Sequence, residues 1–162
     1  MTTELSPHIL RSELFDEFTD SEQNSLQGML EHRIYKAGET VLEEGAMDED
    51  IYLLKSGLLD VTKFTGKSHQ TVDEISGETY FGDQAFLDGS PRSASIKTKV
   101  ETELFILSKQ AVLEHPDHEK LLNKLYRNIA MINSIRLKHS ASSYAVTMEK
   151  EINCREVTDK IT

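Results

Sequence analysis

Short apolar runs separated by turn residues dominate the middle of the chain. Between residues 33 and 107, aliphatic and β-branched residues form runs such as 51–54 and 104–107, with a turn signal roughly every 6–12 residues. Seven of the eight glycines lie in this stretch, where tight corners favour a residue without a side chain. No repeat with a period of roughly 20–50 residues is present. The pattern predicts an all-β sandwich, barrel or jelly roll over 33–107.

The preceding segment, residues 1–32, has a helical pattern. Thr19 stands directly before Asp20 and Glu22, as a cap stands before an acidic first helical turn. Apolar residues then recur at spacings of three and four, which places them on one helical face: Leu26, Met29 and Leu30. We also predict a short helical turn upstream that packs on the core through Phe15 and Phe18.

Residues 108–148 are predicted to form two helices. Ser108 suits the cap of a short helix over 109–114, and Pro116 suits the first turn of a longer one. The longer helix carries an apolar seam, whose members follow a 3-4-3 spacing: Leu122, Leu125, Ile129 and Ile132. Residues 149–162 are polar, and we predict that they form a frayed tail.

Charge narrows the class of partner. The 162 residues suit one domain and carry 28 Asp and Glu against 18 Lys and Arg, a net charge of −10. The acidic excess lies entirely in the first 116 residues, because residues 117–162 hold 8 Lys and Arg against 6 Asp and Glu. Such a field repels nucleic acid and anionic membranes, so we expect neither as a partner.

Other patterns argue against several further classes. A single cysteine, Cys154, excludes an internal disulfide framework. No stretch approaches the roughly 20 apolar residues of a membrane helix, and the first twelve residues do not read as a secretory signal, so we predict a cytoplasmic protein. Only His69 of the six histidines lies within the β region, and no H-x-H pair, G-x-S-x-G or P-loop motif occurs. We therefore expect neither an enzyme nor a cofactor.

The segment 80–95 carries the candidate chemistry. A strand that ends at Gly82 and continues into one helical turn over 83–87 directs several backbone N–H groups at one point, as an anion site does. Arg92 is the only Lys or Arg between Lys67 and Lys97, and its guanidinium suits a phosphate. Two interpretations stay open here. Arg92 binds a small anionic ligand, or it pairs on the surface with Asp83 or Asp88.

The same segment resembles the phosphate-binding cassette of cyclic-nucleotide-binding domains, the module of the bacterial catabolite activator and of the protein kinase A regulatory subunit. The family pattern F-G-E-x-A, followed after a gap by P-R-x-A, is matched here by two strings: Phe81-Gly82-Asp83-Gln84-Ala85 and Pro91-Arg92-Ser93-Ala94. The nine-residue spacing from Asp83 to Arg92 is usual in the family. Residues 35–45 and 51–61 also look like its first strands, so the resemblance extends over about 14–116. It implies a mainly β double-stranded β-helix, or jelly-roll barrel, with an N-terminal helix and a long C-terminal helix.

The resemblance also implies a role for each position. Arg92 would hold the cyclic phosphate with help from the Ser93 hydroxyl, and Asp83 takes the place of the glutamate that accepts the ribose 2′-hydroxyl. Aspartate is one methylene shorter than glutamate, so its carboxylate reaches less far. Contacts from the backbone or from small side chains around the phosphate and ribose are expected from four residues: Gly82, Gln84, Ala85 and Ala94. Contacts to the base are expected from three others: Val72, Asn133 and Ser134. A hydroxyl without the methyl of threonine after the arginine favours cAMP over cGMP.

Bacterial members of the family continue into a DNA-binding domain, which we do not expect in this chain. We therefore expect a stand-alone reader whose long helix signals to an unidentified effector protein or to a second copy. Homodimerisation would use Leu122, Leu125, Ile129 and Ile132; the same residues could instead cover their own barrel. The alternative function is a degenerate module that binds proteins and no ligand. Arg92 argues against the alternative, because an unpaired buried arginine is costly.

Overall fold

A computed structural model describes residues 12–159, with side chains described as far as residue 143. A 3₁₀ turn, Glu13–Phe15, precedes helix α1, Asp20–Met29. Eight strands follow: β1 Leu30–Tyr35, β2 Thr40–Leu42, β3 Ile51–Ser56, β4 Leu58–Phe64, β5 His69–Ser76, β6 Thr79–Phe81, β7 Ser95–Thr98 and β8 Thr102–Leu107. Helix α2, Asp83–Asp88, lies between β6 and β7, and the chain ends in α3, Lys109–Leu113, and α4, His118–Asp159.

The strands form two four-stranded sheets in which every pairing is antiparallel. One sheet has the order β1-β8-β3-β6 and the other the order β2-β7-β4-β5. Apart from the hairpin of β4 and β5, neighbouring strands are not consecutive in the sequence, as in a jelly roll rather than in a meander. This confirms the mainly β barrel with flanking helices that the sequence predicted.

Strands β3 and β8 explain the unbroken apolar runs of the sequence. A central strand that is covered on both faces needs apolar side chains at consecutive positions. In β3, Leu53 joins the core between the sheet and the helices, whereas Leu54 points into the barrel. In β8, Phe105 and Leu104 divide in the same way. The domain therefore has two cores that share these strands.

The N-terminal segment anchors the base of α4. Thr19 and Glu22 form the reciprocal capping box of α1, which confirms the predicted helix start. The Glu22 carboxylate also pairs with Lys120 at 2.8 Å and with Lys124 at 2.6 Å. These contacts, led by the hydrogen bond from Lys120, lower the pKa of Glu22 to about 2. The first turns of α4 are thus fixed to α1 by charge as well as by packing.

The structure corrects three sequence-based boundaries. Strand β1 begins at Leu30, so Leu30 continues the sheet rather than the helical face of α1. The long helix begins at His118, after Pro116, and not around the proline. The same helix runs to Asp159, whereas we predicted a helical region ending at 148 and a frayed tail from 149. Helix geometry needs only backbone hydrogen bonds, so polar composition alone does not end a helix.

The apolar seam of α4 packs on its own barrel. All four seam residues are buried in the core that α4 shares with β3, β8 and the N-terminal turn: Leu122, Leu125, Ile129 and Ile132. The prediction that they pair with a second copy is therefore wrong for this arrangement. The open alternative, that they cover the barrel of the same chain, is what the structure shows.

Two features are absent from the described part of the chain. No helix there combines the length and the apolarity needed to cross a bilayer. No group of three or more His, Cys, Asp or Glu side chains in that part of the chain is placed to hold a metal ion. The side chain of Cys154 lies outside the described residues.

Candidate nucleotide-binding site

The turn between β6 and α2 depends on the glycine at its centre. Gly82 has a φ of 87°, in the left-handed region that side chains disfavour. A Cβ added there would lie 2.7 Å from Nη1 of Arg92 and 2.9 Å from the carbonyl oxygen of Asp50. The backbone thus needs glycine for conformation and for space. The predicted strand end and helical turn over 83–87 are confirmed by β6 and α2.

A cavity of about 200 Å³ opens beside this turn. Seven of the ten predicted site residues line it, and all seven belong to the predicted cassette: Gly82, Asp83, Gln84, Ala85, Arg92, Ser93 and Ala94. Two chain segments, Gly82 with the first turn of α2 and the residues just before β7, therefore converge on one space.

Arg92 is buried in the wall of the cavity and is held by the barrel. Its Nη1 donates to the carbonyl of Gly82 at 2.9 Å, and its Nη2 donates to the carbonyl of Asp50 at 2.7 Å. Its Nε donates to Oδ2 of Asp48 at 2.9 Å, and a shorter contact joins Nη2 to Oδ1 of the same carboxylate. Four of the five N–H donors thus have partners among the described residues. One N–H on Nη1 remains.

The partner of Arg92 differs from both predicted surface partners. Neither Asp83 nor Asp88 pairs with the guanidinium; Asp48 does. Burial alone would raise the pKa of Asp48, but the hydrogen bond and positive charge of Arg92 outweigh it and lower that pKa. This pairing also corrects an argument made from the sequence. Arg92 is buried but not unpaired, so its presence does not by itself require a ligand.

Apolar side chains from both sheets line the rest of the cavity. Leu42, Val61, Phe81 and Ile96 contribute, and so does Ile75 of β5. The predicted base contact Val72 does not line it, and its side chain is 56% exposed. In the pairing with β4, Val61 faces Asp73 and Thr62 faces Thr71, so Val72 is the extra residue of a bulge. That position turns Val72 away from the barrel.

The long helix meets the cassette at Asp83. Asn133 donates from Nδ2 to Oδ2 of Asp83 at 3.0 Å, and Nη1 of Arg136 lies 3.9 Å from the same oxygen. Asn133 thus contacts a cassette side chain and is not among the residues that line the cavity. Ser134 is exposed and does not line the cavity either. Of the two predicted helix contacts, the structure brings only Asn133 to the site.

Sequence reasoning missed several residues that shape the site, among them Asp48, Val61, Ile75 and Arg136. Asp48 lies in a run of acids, 48–50, and no feature of the sequence distinguishes it. Ile75 had a usable signal. Val72 and Ile75 are three residues apart, so a regular strand would place them on opposite faces, and only one of them could line the pocket.

Comparison with known proteins agrees with this geometry. The family model for the cyclic nucleotide-binding domain matches residues 32–116, just over half of the chain. A cAMP-dependent protein kinase regulatory subunit from Colletotrichum orbiculare is 32% identical over 98 residues, which are 60% of this chain and 25% of that protein. The chain thus spans about a quarter of this relative.

Two solved structures have the same fold. A cyclic nucleotide-binding domain from Methylobacillus flagellatus superposes with a TM-score of 0.70, at 24% identity, over 83% of this chain and 77% of that one. The regulatory domain of Toxoplasma gondii protein kinase A, crystallised with cAMP, gives 0.61 at 24% identity, over 65% of this chain and 41% of that one. The family model and the jelly-roll fold agree, and the chain belongs to the cyclic nucleotide-binding domain family.

Proposed function

We propose that the chain is a regulatory domain that binds a cyclic nucleotide, cAMP in preference to cGMP, in the cavity beside Gly82. The observation that carries this proposal is the convergence of the seven cassette residues on one cavity whose wall contains a buried guanidinium. A regulatory domain of this kind binds and does not catalyse, and we expect it to act in the cytoplasm.

Arg92 is the proposed phosphate ligand. Its contacts with Asp48 and with two backbone carbonyls fix the guanidinium before any ligand arrives. The remaining N–H on Nη1 and the hydroxyl of Ser93 are available to a cyclic phosphate. A rigid, charged donor loses little entropy on binding, which favours affinity.

The other parts of the nucleotide would meet different walls. Asp83 is the proposed acceptor of the ribose 2′-hydroxyl, with Ala85 and Ala94 small enough to leave room. The base would lie against the apolar side, where Val61 and Ile75 stand.

The preference for cAMP rests on two supports. Ser93 follows the arginine where family members that prefer guanine often have threonine. The fungal relative is named for its dependence on cAMP.

The proposed output is a change at helix α4. This helix is the longest element, and its described side chains from Ser134 onward are exposed. A second copy or an effector protein would have to use that exposed part, because the apolar seam is buried. Light scattering with and without nucleotide measures whether the oligomeric state responds.

Calorimetric titration with cAMP and cGMP tests the proposal. Ligand at about 100 times its dissociation constant adds roughly 2.7 kcal/mol to the free energy of unfolding. We expect Arg92→Lys to weaken cAMP binding about tenfold or more, because lysine lacks the forked donors. Arg33→Lys, on the exposed end of a pair with Glu31, is the matched control and should leave binding unchanged. Absence of binding at millimolar cAMP and cGMP would overturn the proposal.

One observation favours a second candidate, a domain that has lost its ligand and binds a protein. Asp48 already supplies a carboxylate that pairs with the buried guanidinium of Arg92, so this charge has a partner without a nucleotide. The same titration separates the two candidates, because the second predicts no heat and no thermal shift with either nucleotide.

A further inference from the structure

The carboxylate of Asp83 has neighbours on two sides. It lines the cavity, and its Oδ2 accepts a hydrogen bond from Asn133. Arg136 lies one helical turn further along α4, 3.9 Å from the same oxygen, with its guanidinium 5.0 Å above the ring of Tyr80. Tyr80 is itself buried, so the contact gives the long arginine a fixed base. One carboxylate thus joins the cassette to the helix.

The contact occurs where α4 leaves the domain. Ile132 is the last buried residue of the described part of the helix, and the side chains from Ser134 to Ser143 are exposed. The base of the helix is fixed elsewhere, through Lys120, Lys124 and Asn128 to the N-terminal segment. Asn133 and Arg136 are therefore the polar contacts of the exit point.

We propose that Asn133 and Arg136 are positioning residues for Asp83, which hold its carboxylate so that a ribose 2′-hydroxyl in the cavity can donate to it. The proposal deepens the proposed function and rests on it. An aspartate is one methylene shorter than the family's glutamate, so its reach depends on its orientation. A carboxylate has acceptor sites on both oxygens, and the bond from Asn133 uses Oδ2 and leaves Oδ1 for the ribose.

The proposal makes the helix sensitive to the sugar of the nucleotide. If Asn133 improves ribose binding through Asp83, then ribose binding must stabilise the contact of Asn133 with Asp83 by the same factor. A 2′-deoxy nucleotide would occupy the cavity without this effect. Direct contact of Asn133 with the base, the role expected from the sequence, makes a different prediction. It would act equally on ribose and deoxyribose nucleotides.

The test compares cAMP with its 2′-deoxy analogue by calorimetry. A hydrogen bond to a charged group corresponds to about tenfold or more in affinity, so the wild type should bind cAMP at least that much more tightly. In Asn133→Ala we expect this ratio to fall about threefold or more, with binding of the deoxy analogue unchanged. Arg136→Ala should lower the ratio less, because its contact is longer. Asn123→Ala, an exposed asparagine of the same helix, is the matched control.

Three results would contradict the proposal: an unchanged ratio, an equal loss for both nucleotides, or an increased ratio. If the wild type binds neither nucleotide, the proposed function fails. Hydrogen exchange without nucleotide then tests the contact between Asn133 and Asp83 separately. Asp83→Ala should then speed amide exchange of residues 130–137 at least as much as Asn133→Ala does, because it also removes the contact with Arg136, and the double variant should exchange no faster than Asp83→Ala. Additive effects would show that the two side chains act separately, and would overturn the positioning role as well.

Discussion

The two charged ends of the cavity are held by different parts of the fold. The guanidinium of Arg92 is fixed by the barrel, through Asp48 and the carbonyls of Gly82 and Asp50. The carboxylate of Asp83 is held by side chains of α4, at the point where that helix leaves the domain. On the proposed function, the phosphate end recognises the ligand with a preformed group. On the same proposal, the ribose end depends on the position of the helix, and we expect binding to reach α4 through that end.

Removing Asp48 takes away the carboxylate that holds the guanidinium of Arg92, and should have the largest effect on stability. In Asp48→Ala the guanidinium of Arg92 stays buried without its carboxylate. Such a loss costs about 3 kcal/mol, the low end of the range for buried pairs, since Asp48 is itself partly exposed. Urea unfolding at neutral pH measures it.

The control for this variant is Asp73→Ala, an exposed aspartate of β5 whose loss changes the net charge equally. Its expected cost is below about 0.5 kcal/mol, as for most surface substitutions. Equal costs in the two variants would show that Asp48 contributes charge only, and that the barrel holds Arg92 through the backbone carbonyls alone.

The same difference explains what could be predicted from the sequence. The features of the phosphate end lie close together in the sequence. They are a glycine that must adopt a positive φ, small residues beside it and a fixed spacing to Arg92. The contacts that complete each end are not local. Asp48 is 44 residues from Arg92, and Asn133 is 50 residues from Asp83. Such pairs depend on how sheets and helices pack, which periodicity does not encode.

A substitution of Glu22 tests how firmly the base of α4 is fixed to α1. Its expected effect on stability is intermediate in size. Its pKa is lowered to about 2, chiefly by the hydrogen bond from Lys120 and then by that from Lys124. A lowered pKa adds stability that is complete above the usual value of about 4.5 and is lost as the pH falls towards 2. Glu22→Gln removes the ion pairs and keeps an acceptor for the capping box, and should cost about 2 kcal/mol at pH 7.

Thermal melts between pH 7 and pH 3 check this prediction. The difference between wild type and Glu22→Gln should shrink as the pH falls below about 5, because protonation removes the same charge from the wild type. The exposed Glu101→Gln serves as the control and should follow the wild type throughout. A difference that stays constant with pH would show that the charge of Glu22 does not carry its contribution to stability.

The apolar wall stands between the two ends, and β5 offers a matched pair of residues there. Ile75 faces the cavity and packs against the barrel core, whereas Val72 is exposed at the bulge. Ile75→Ala should cost about 1 kcal/mol, below the range for fully buried positions, and should weaken cAMP binding several-fold. Val72→Ala should change stability by less than about 0.5 kcal/mol and leave affinity unchanged. Urea unfolding measures the stability of the two variants, and calorimetry measures their affinity for cAMP. Weaker cAMP binding in Val72→Ala alone would mean that β5 shifts its register when nucleotide binds, so that the apolar wall moves while the guanidinium end stays fixed.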